Sequence, residues 1–300
     1  METFVKDTKE IKEAKKETSL LDEILCDRRL MNELHALDID DSEISQYLPL
    51  LATYLDQRAA EEDPRHETLA PYPGMSMKLC IDDSGKLSYV LGPNEETKRK
   101  EALEKNYIYK DFPEAWYDLN GKTVKGERYK KVRTALAKTF TKNCVKPWVF
   151  VKGEPSSGKS YYLAAVLNGL AADGEIVCFI NGAKRFDELK SLAIKNRKEF
   201  DKVMAELESC GTMVFDDFGN EFKSEYIRDQ IILPILSERS RAGLRTYFTS
   251  QYGLDEIKQL YSLHKSYIEG SRVTKLIEKN IEKVVTLEVG IETVSQKRAK

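Results

Sequence analysis

Gly153-Glu154-Pro155-Ser156-Ser157-Gly158-Lys159-Ser160 follows the apolar run Trp148 to Val151 and opens into a helix-like stretch. It fits the pattern G-x-x-x-x-G-K-[ST] at every fixed position. Such glycines let backbone N–H groups turn inward around an anion, and the helix that follows points its positive end at the same spot. The pattern gives Lys159 the β/γ-phosphates and the Ser160 hydroxyl a Mg²⁺ ion, and Tyr161, next in the chain, is counted with the loop as cofactor-binding. Eight residues can match by chance, so the strand before them and the helix after them matter. Further along, Thr212-Met213-Val214-Phe215 runs into Asp216-Asp217-Phe218-Gly219, an apolar strand ending in two carboxylates. Asp216 there would hold Mg²⁺ together with Ser160, and Asp217 would polarise an attacking water. The other reading of Asp217 is a cap for the next segment. The two elements predict a nucleoside-triphosphate site with Lys159, Asp216 and Asp217 as its catalytic groups.

Three hundred residues suggest two domains. With 48 basic and 50 acidic side chains and a net charge of −2, the chain has no global pull toward nucleic acid or membrane, so either would need a local patch. No apolar stretch approaches the ~20 residues that span a bilayer. The Lys- and Glu-rich beginning, Glu2 to Glu17, does not read as a signal peptide. Cys26, Cys80, Cys144, Cys178 and Cys210 are scattered without a C-x-x-C pair, which suggests buried thiols and a cytoplasmic address.

Around the phosphate loop, strand and helix patterns alternate. Strands are expected at 148–151, 176–180, 212–215, 245–250 and 284–289, and helices at 159–172, 186–208, 225–241, 254–261 and 267–283. This is the pattern of an α/β fold with a parallel sheet covered on both faces. Before it lies a different region. Apolar positions from Leu20 to Leu37 recur at helical spacing, then a stretch from Ile44 to Tyr54 follows with Pro49 as a kink. Residues 77–81 and 87–91 flank Asp82-Asp83-Ser84-Gly85-Lys86 as a β-hairpin. The charged segment 98–105 forms the seam, giving a small α+β domain at 1–106 and the α/β domain at 107–300. Tyr107 to Tyr117 reads as aromatic and irregular, either a wall for an adenine ring or ordinary core.

Thr249-Ser250-Gln251 ends a strand beside the two acids, so Ser250 and Gln251 are candidates for sensing a γ-phosphate; an ordinary strand-end turn is the alternative. Asp229, Glu238, Arg239 and Arg241 read as the solvated face of a helix. His35, His66 and His264 fall in no ligand or triad spacing.

From Tyr107 onward these residues resemble the AAA+ ATPases of the bacterial helicase-loader group, the DnaI/DnaC type. The resemblance rests on the 153–160 loop, Asp216-Asp217-Phe218-Gly219, the helix Ile227–Arg239, the strand Thr246–Gln251 and Leu276-Ile277-Glu278 ahead of a closing strand. Loaders of this group lack the helical lid of most AAA+ proteins, and the short stretch after Val289 is expected to hold none. The first hundred residues are similar to the DnaI type in particular, through Tyr54-Leu55-Asp56-Gln57, the hairpin and Lys98-Arg99-Lys100. Such N-domains often bind zinc through three Cys and one His. Here those positions hold none, and Cys80 alone is no structural site, so a zinc-free N-domain is expected. The family's trans-acting arginine corresponds to Lys275 or Lys279, with Arg272 one turn earlier, or all three are solvated surface. Lys offers a point charge where Arg offers a planar fork. Gln251 stands where Asn is common.

The resemblance implies ATP and Mg²⁺ as cofactors and slow hydrolysis that times a switch. It implies a hexameric replicative DNA helicase as partner of residues 1–106, with single-stranded DNA bound when ATP is present and self-association on the helicase. From residues alone, Lys122, Lys125, Arg128, Lys130, Lys131 and Arg133 with Tyr129, and Lys184-Arg185-Phe186, could track a phosphate backbone or be solvated faces. Two other readings remain at this stage: a transposition helper with the same ATPase core, and a P-loop kinase, for which neither an acceptor pocket nor an Arg-bearing lid is evident.

Overall fold

The computed structural model describes residues 19–63, 70–121, 124, 126–262 and 267–288, and only the backbone of Tyr267 and Glu269. The stretch Glu2 to Glu17, His66, His264, Lys122, Lys125 and Val289 lie outside the described residues. The chain divides into two compact units, 1–100 and 101–300.

In the first unit, helical residues 19–26 are followed by α1 (Arg28–His35) rather than continuing into it. Asp27 separates them because its carboxylate accepts from the N–H groups of Arg29 and Leu30, an N-cap that starts a new helix. Pro49 lies in the first turn of α2 (Leu48–Glu62), where its missing N–H costs nothing, so it opens the helix instead of kinking it. Strands β1 (Met75–Ile81) and β2 (Leu87–Pro93) pair antiparallel, with Met77 opposite Leu91 and Leu79 opposite Tyr89. Asp82 closes their turn by accepting from the N–H groups of Ser84 and Lys86, and Gly85 takes the left-handed conformation, φ 79°. Ile24, Leu30, Leu34, Ile44, Leu51, Met77 and Leu87 form the core. Buried Gln57 fastens the segment before β1: it accepts from Tyr72 N–H and donates to Tyr72 O and Met75 O. Helix α3 (Glu95–Asn106) runs across the division between the units.

The second unit is one six-stranded sheet in the order β3-β5-β6-β7-β4-β8, parallel throughout. The strands are β3 (Tyr107–Lys110), β4 (Trp148–Lys152), β5 (Val177–Asn181), β6 (Thr212–Asp216), β7 (Arg245–Ser250) and β8 (Ile281–Thr286). Side chains alternate between faces along each strand. Trp148, Phe150, Ile180, Met213, Phe215 and Phe248 point into one core, and Val149, Val151, Phe179, Val214 and Tyr247 into the other. The first core is shared with α6 (Gly182–Lys195), α7 (Arg197–Ser209), α8 (Leu233–Ala242), α9 (Leu254–Tyr261) and α10 (Tyr267–Asn280). The second is shared with α4 (Lys130–Thr139) and α5 (Lys159–Ala172). Both faces are therefore covered, as the continuous apolar strands require.

Several elements depart from the sequence reading. The single helix expected at 186–208 is two helices. Asn196 interrupts it by accepting from Glu199 N–H, which caps α7. The helix expected at 225–241 contains a wider turn with i→i+5 bonding over Ile227–Ile232, just ahead of Pro234, whose missing N–H removes an α-helical bond. Helix α10 stops at Asn280, whose side-chain amide donates to Leu276 O and to Ser240 Oγ, so β8 begins three residues earlier than expected. Tyr107–Lys110 is not irregular but an edge strand beside β5. Arg239 is no surface residue: it is fully buried, donating to Thr246 Oγ1 and to the carbonyls of Leu207, Cys210 and Arg245. Those oxygens offset the desolvation of its guanidinium.

Candidate functional site: a phosphate loop facing two acids

Strand β7 lies between the loop strand β4 and the acid strand β6, so three carboxyl ends converge. Ligands of open parallel sheets bind outside such ends. After β4 the chain turns away at Gly153, whose N–H donates to Ser250 O at 3.0 Å. A Cβ at Gly153 would run into Leu287 O, so only glycine fits. Gly158 has φ 87° and opens α5; a Cβ there would collide with the Tyr129 hydroxyl. Gly158→Ala is expected to destabilise the protein by about 1–3 kcal/mol through left-handed strain and this collision. A urea melt indistinguishable from wild type would disprove that.

Lys159 is 8% exposed, and its ammonium folds back into the loop. It donates to Gly153 O (2.7 Å) and Glu154 O (2.8 Å), with Ser157 Oγ at 3.4 Å. Burial pulls its pKa down, while the negative charges of Asp217, Asp216 and Glu154 push it back up. Ser160 Oγ donates to Asp216 Oδ1 at 2.5 Å, joining the loop to the first acid. The same oxygen accepts from Thr249 Oγ1 (2.8 Å), and Asn181 Nδ2 donates to Oδ2 at 3.4 Å. Burial raises the Asp216 pKa above the usual carboxylate range; the hydrogen bonds from Ser160, Thr249 and Asn181 oppose this, and the charge of Asp217 adds to it.

That raised pKa has a consequence for stability. An acid whose folded pKa exceeds its unfolded one binds more protons when folded, so stability falls as pH climbs through that window. Asp216→Asn removes the ionisation. In the absence of metal its stability relative to wild type is therefore expected to rise between pH 4 and pH 7. Thermal melts at both pH values test this, and a difference between the two proteins that does not change with pH would refute it.

Asp217 adopts the left-handed conformation, φ 55°, and its N–H donates to Thr249 Oγ1 at 2.8 Å. Phe218 then dives into the core against Phe215 (5.8 Å between centroids) and Phe248 (5.2 Å). Phe218 N–H donates to Thr249 O, extending the ladder one residue past the acids. Aromatic pairs of this kind contribute about 0.5–1.5 kcal/mol each beyond burial. Glu221, 3% exposed, accepts from Gly219 N–H and from the Tyr261 hydroxyl and pairs with Lys223, fixing the rest of the loop.

Of the two sensor candidates, Ser250 is fully buried and donates its hydroxyl to Phe218 O (2.6 Å). Gln251 donates to Asn220 Oδ1 at 3.0 Å, and Asn220 in turn donates to Asp217 Oδ1 at 2.7 Å. Thr249, which the sequence reading placed beside the acids without giving it a role, bonds both of them at once. Arg272, Lys275 and Lys279 are exposed on α10. Arg272 lies close enough to Asp229 to help hold that carboxyl below its usual range, although bonding from Arg228 is the larger cause.

The two basic clusters fare differently. Arg185 is engaged by the buried Asp111 carboxylate (2.7 Å) and by Glu188, and Phe186 is 1% exposed, which leaves Lys184 as the exposed part of that cluster. Arg128 is exposed and donates to the Tyr129 hydroxyl above Gly158. Tyr129 itself is buried, stacked on Tyr162 at 4.6 Å. In the 107–117 stretch, Phe112 packs on Phe179 in the core, and Trp116 meets Tyr161 edge-on at 5.5 Å.

The donor set fits Mg²⁺ and a polyphosphate. A Cβ at Gly153 would meet a backbone carbonyl and Gly158 takes a left-handed φ, a buried ammonium stands in the loop, and a hydroxyl and a buried carboxylate meet beside it. Among the described residues there is no group of three or more His, Cys, Asp or Glu placed to hold a metal, and no helix long and apolar enough to cross a membrane.

No family model matches the chain. Over 129 residues, 43% of its length, it is 24% identical to the replicative helicase loader DnaI of Bacillus subtilis (strain 168). That match spans 41% of the relative. A crystal structure of DnaI superposes with a TM-score of 0.52 and 20% identity, covering 62% of this chain and 98% of that one. A crystal structure of the DnaC helicase loader gives a TM-score of 0.43 and 22% identity over 59% of this chain and 100% of that one. The second unit is a parallel sheet flanked by helices and carrying a phosphate loop, and the chain is similar in sequence and in fold to the bacterial helicase loader DnaI.

Proposed function

We propose that this protein is an ATP-controlled loader of a hexameric replicative DNA helicase, acting in primosome assembly. Support comes from the likeness to DnaI and from one feature of the site: Ser160 and Asp216 meet at 2.5 Å beside a lysine held by its own loop. In this reading the amides of residues 153–160 and Lys159 bind the polyphosphate, and Ser160 and Asp216 hold Mg²⁺. The bound Mg²⁺ supplies charge neutralisation at the phosphates. Thr249 keeps the backbone of Asp217 in place, and the Asp217 carboxylate orients the water. Gln251 reads the γ-phosphate. Asp217 is one methylene shorter than the glutamate of many such ATPases, and a lysine at position 275 or 279 is a poorer trans-acting cation than arginine. Hydrolysis is accordingly slow and depends on partners. The N-terminal segment, residues 1–106, docks on the helicase, and the ATPase core contacts single-stranded DNA when ATP is present.

The test is to mix the full chain with a candidate ring helicase under ATP, ADP and no nucleotide and follow assembly by native mass spectrometry. A nucleotide-dependent complex is expected, with most of the affinity in residues 1–106. Failure of that segment to bind the ring would remove the assignment while leaving the nucleotide site standing.

A further inference from the structure

Asn220 was given no part in the site by its sequence, yet it stands at the centre of a short hydrogen-bond relay. Its amide nitrogen donates to Asp217 Oδ1 at 2.7 Å, and its backbone N–H donates to Asp217 O at 3.1 Å. Side chain and main chain therefore close the same four-residue turn, which Asp217 enters with φ 55°. The amide oxygen of Asn220 accepts from Gln251 Nε2 at 3.0 Å. This acceptance sets the amide's orientation, with oxygen toward β7 and the NH₂ group toward the acid. Thr249 does something different two residues earlier: it fixes the Asp217 backbone and the Asp216 carboxylate. One residue at the end of β7 thus steadies the chain, and another orients a clamp on the free carboxylate.

A carboxylate that polarises water must offer that water a lone pair in line with the phosphorus. Asp217 instead offers Oδ1 to an exposed neighbour in its own turn. Gln251 directly follows β7, the strand between the loop strand and the acid strand, so an anion in the loop would compete for its N–H. Were Gln251 to turn to that anion, the Asn220 oxygen would lose its donor and the amide would be free to rotate off Asp217.

We infer that Asn220 is a positioning residue that restrains Asp217 in the resting site and releases it through Gln251 when a triphosphate is bound. The inference rests on the water-orienting role proposed above for Asp217.

Single-turnover hydrolysis of Mg·ATP should be compared in wild type, Asn220→Ala, Asp217→Asn and the double variant of the full chain, with affinity measured by calorimetry. Asn220→Ala is expected to hydrolyse about 10-fold faster, equivalent to ~1.4 kcal/mol of barrier, with unchanged affinity. The double variant should be no faster than Asp217→Asn alone, since the gain runs through Asp217. In nucleotide-free protein, the side-chain amide resonances of Asn220 should shift in Asp217→Asn. They can be assigned by their loss in Asn220→Ala. An Asn220→Ala rate at or below wild type, with Asp217→Asn slow, overturns the restraint and leaves the role of Asp217 intact. An Asp217→Asn rate equal to wild type removes both. Unmoved Asn220 resonances overturn the contact itself.

Discussion

Lys159→Ala should lower the affinity for Mg·ATP and Mg·ADP by at least about 100-fold, on the order of 3 kcal/mol. The residue is 8% exposed and its ammonium lies within 2.8 Å of two loop carbonyls, so the loop itself fixes where its charge stands. Its partners in the loop are neutral oxygens, and exchanging them for a phosphate replaces dipoles with a full charge at short range. Alanine removes that charge and leaves the Gly153 and Glu154 carbonyls facing the space where the anion belongs. Calorimetry on folded protein is the measurement, with circular dichroism as the control for folding. Retention of near-wild-type affinity would mean that the loop does not grip a polyphosphate in the way its sequence implies.

Asp217→Asn should leave nucleotide affinity within a few-fold of wild type and slow hydrolysis by on the order of 100-fold. The asymmetry follows from the bonds. The Asp217 backbone is held by Thr249 and its neighbour Phe218 is set in the aromatic core, so the substitution leaves the loop in place. Asparagine also tolerates the left-handed conformation found here. The amide keeps the shape and loses the negative charge that polarises water. Single-turnover rates with separately measured affinities decide the matter. Equal loss of binding in Asp217→Asn and Lys159→Ala would contradict the division of labour between them.

The parts of this fold that could be read from the sequence are those with one dominant physical cause. The strands 148–152, 177–181 and 212–216 are buried on both faces, so each is a short, mostly apolar run between polar turns, whereas 245–250 is buried with Tyr247 and Phe248 flanked by hydroxyl residues. Helices 159–172 and 254–261 have a clear start, a glycine ahead of each, and were placed to the residue. What escaped were decisions made by single side chains. Asn196 and Asp27 each end one helix and begin another by bonding backbone N–H groups, within patterns whose apolar spacing continues across them. Asn280 does the same for the junction of α10 with β8 through a carbonyl and a distant serine. Strand β3 pairs on one side only and is rich in tyrosine, so its pattern carries no alternation of apolar and polar residues.

The site divides in the same way. Lys159, Ser160 and Asp216 belong to stretches with fixed spacing, and the structure brings them together. Thr249 and Asn220 have no spacing signal. The role of Thr249 depends on its hydroxyl meeting both acids across β6 and β7, and that of Asn220 on a turn that brings its amide back to Asp217, neither of which a linear pattern carries. Arg239 was misread because charge predicts exposure on average, and four inward-facing oxygens reverse that average at one position.

The chain has two tryptophans, and their surroundings make them separate reporters. Trp148 is sealed in the core at the foot of the loop strand, with its indole N–H bonded to Leu244 O, and its emission should stay blue and constant until the sheet melts. Trp116 leans on Tyr161, the residue directly after Ser160, and is partly open to water. Fluorescence of the unlabelled protein can thus follow occupancy of the phosphate loop through one indole and global unfolding through the other, with Trp116→Phe silencing the first channel alone.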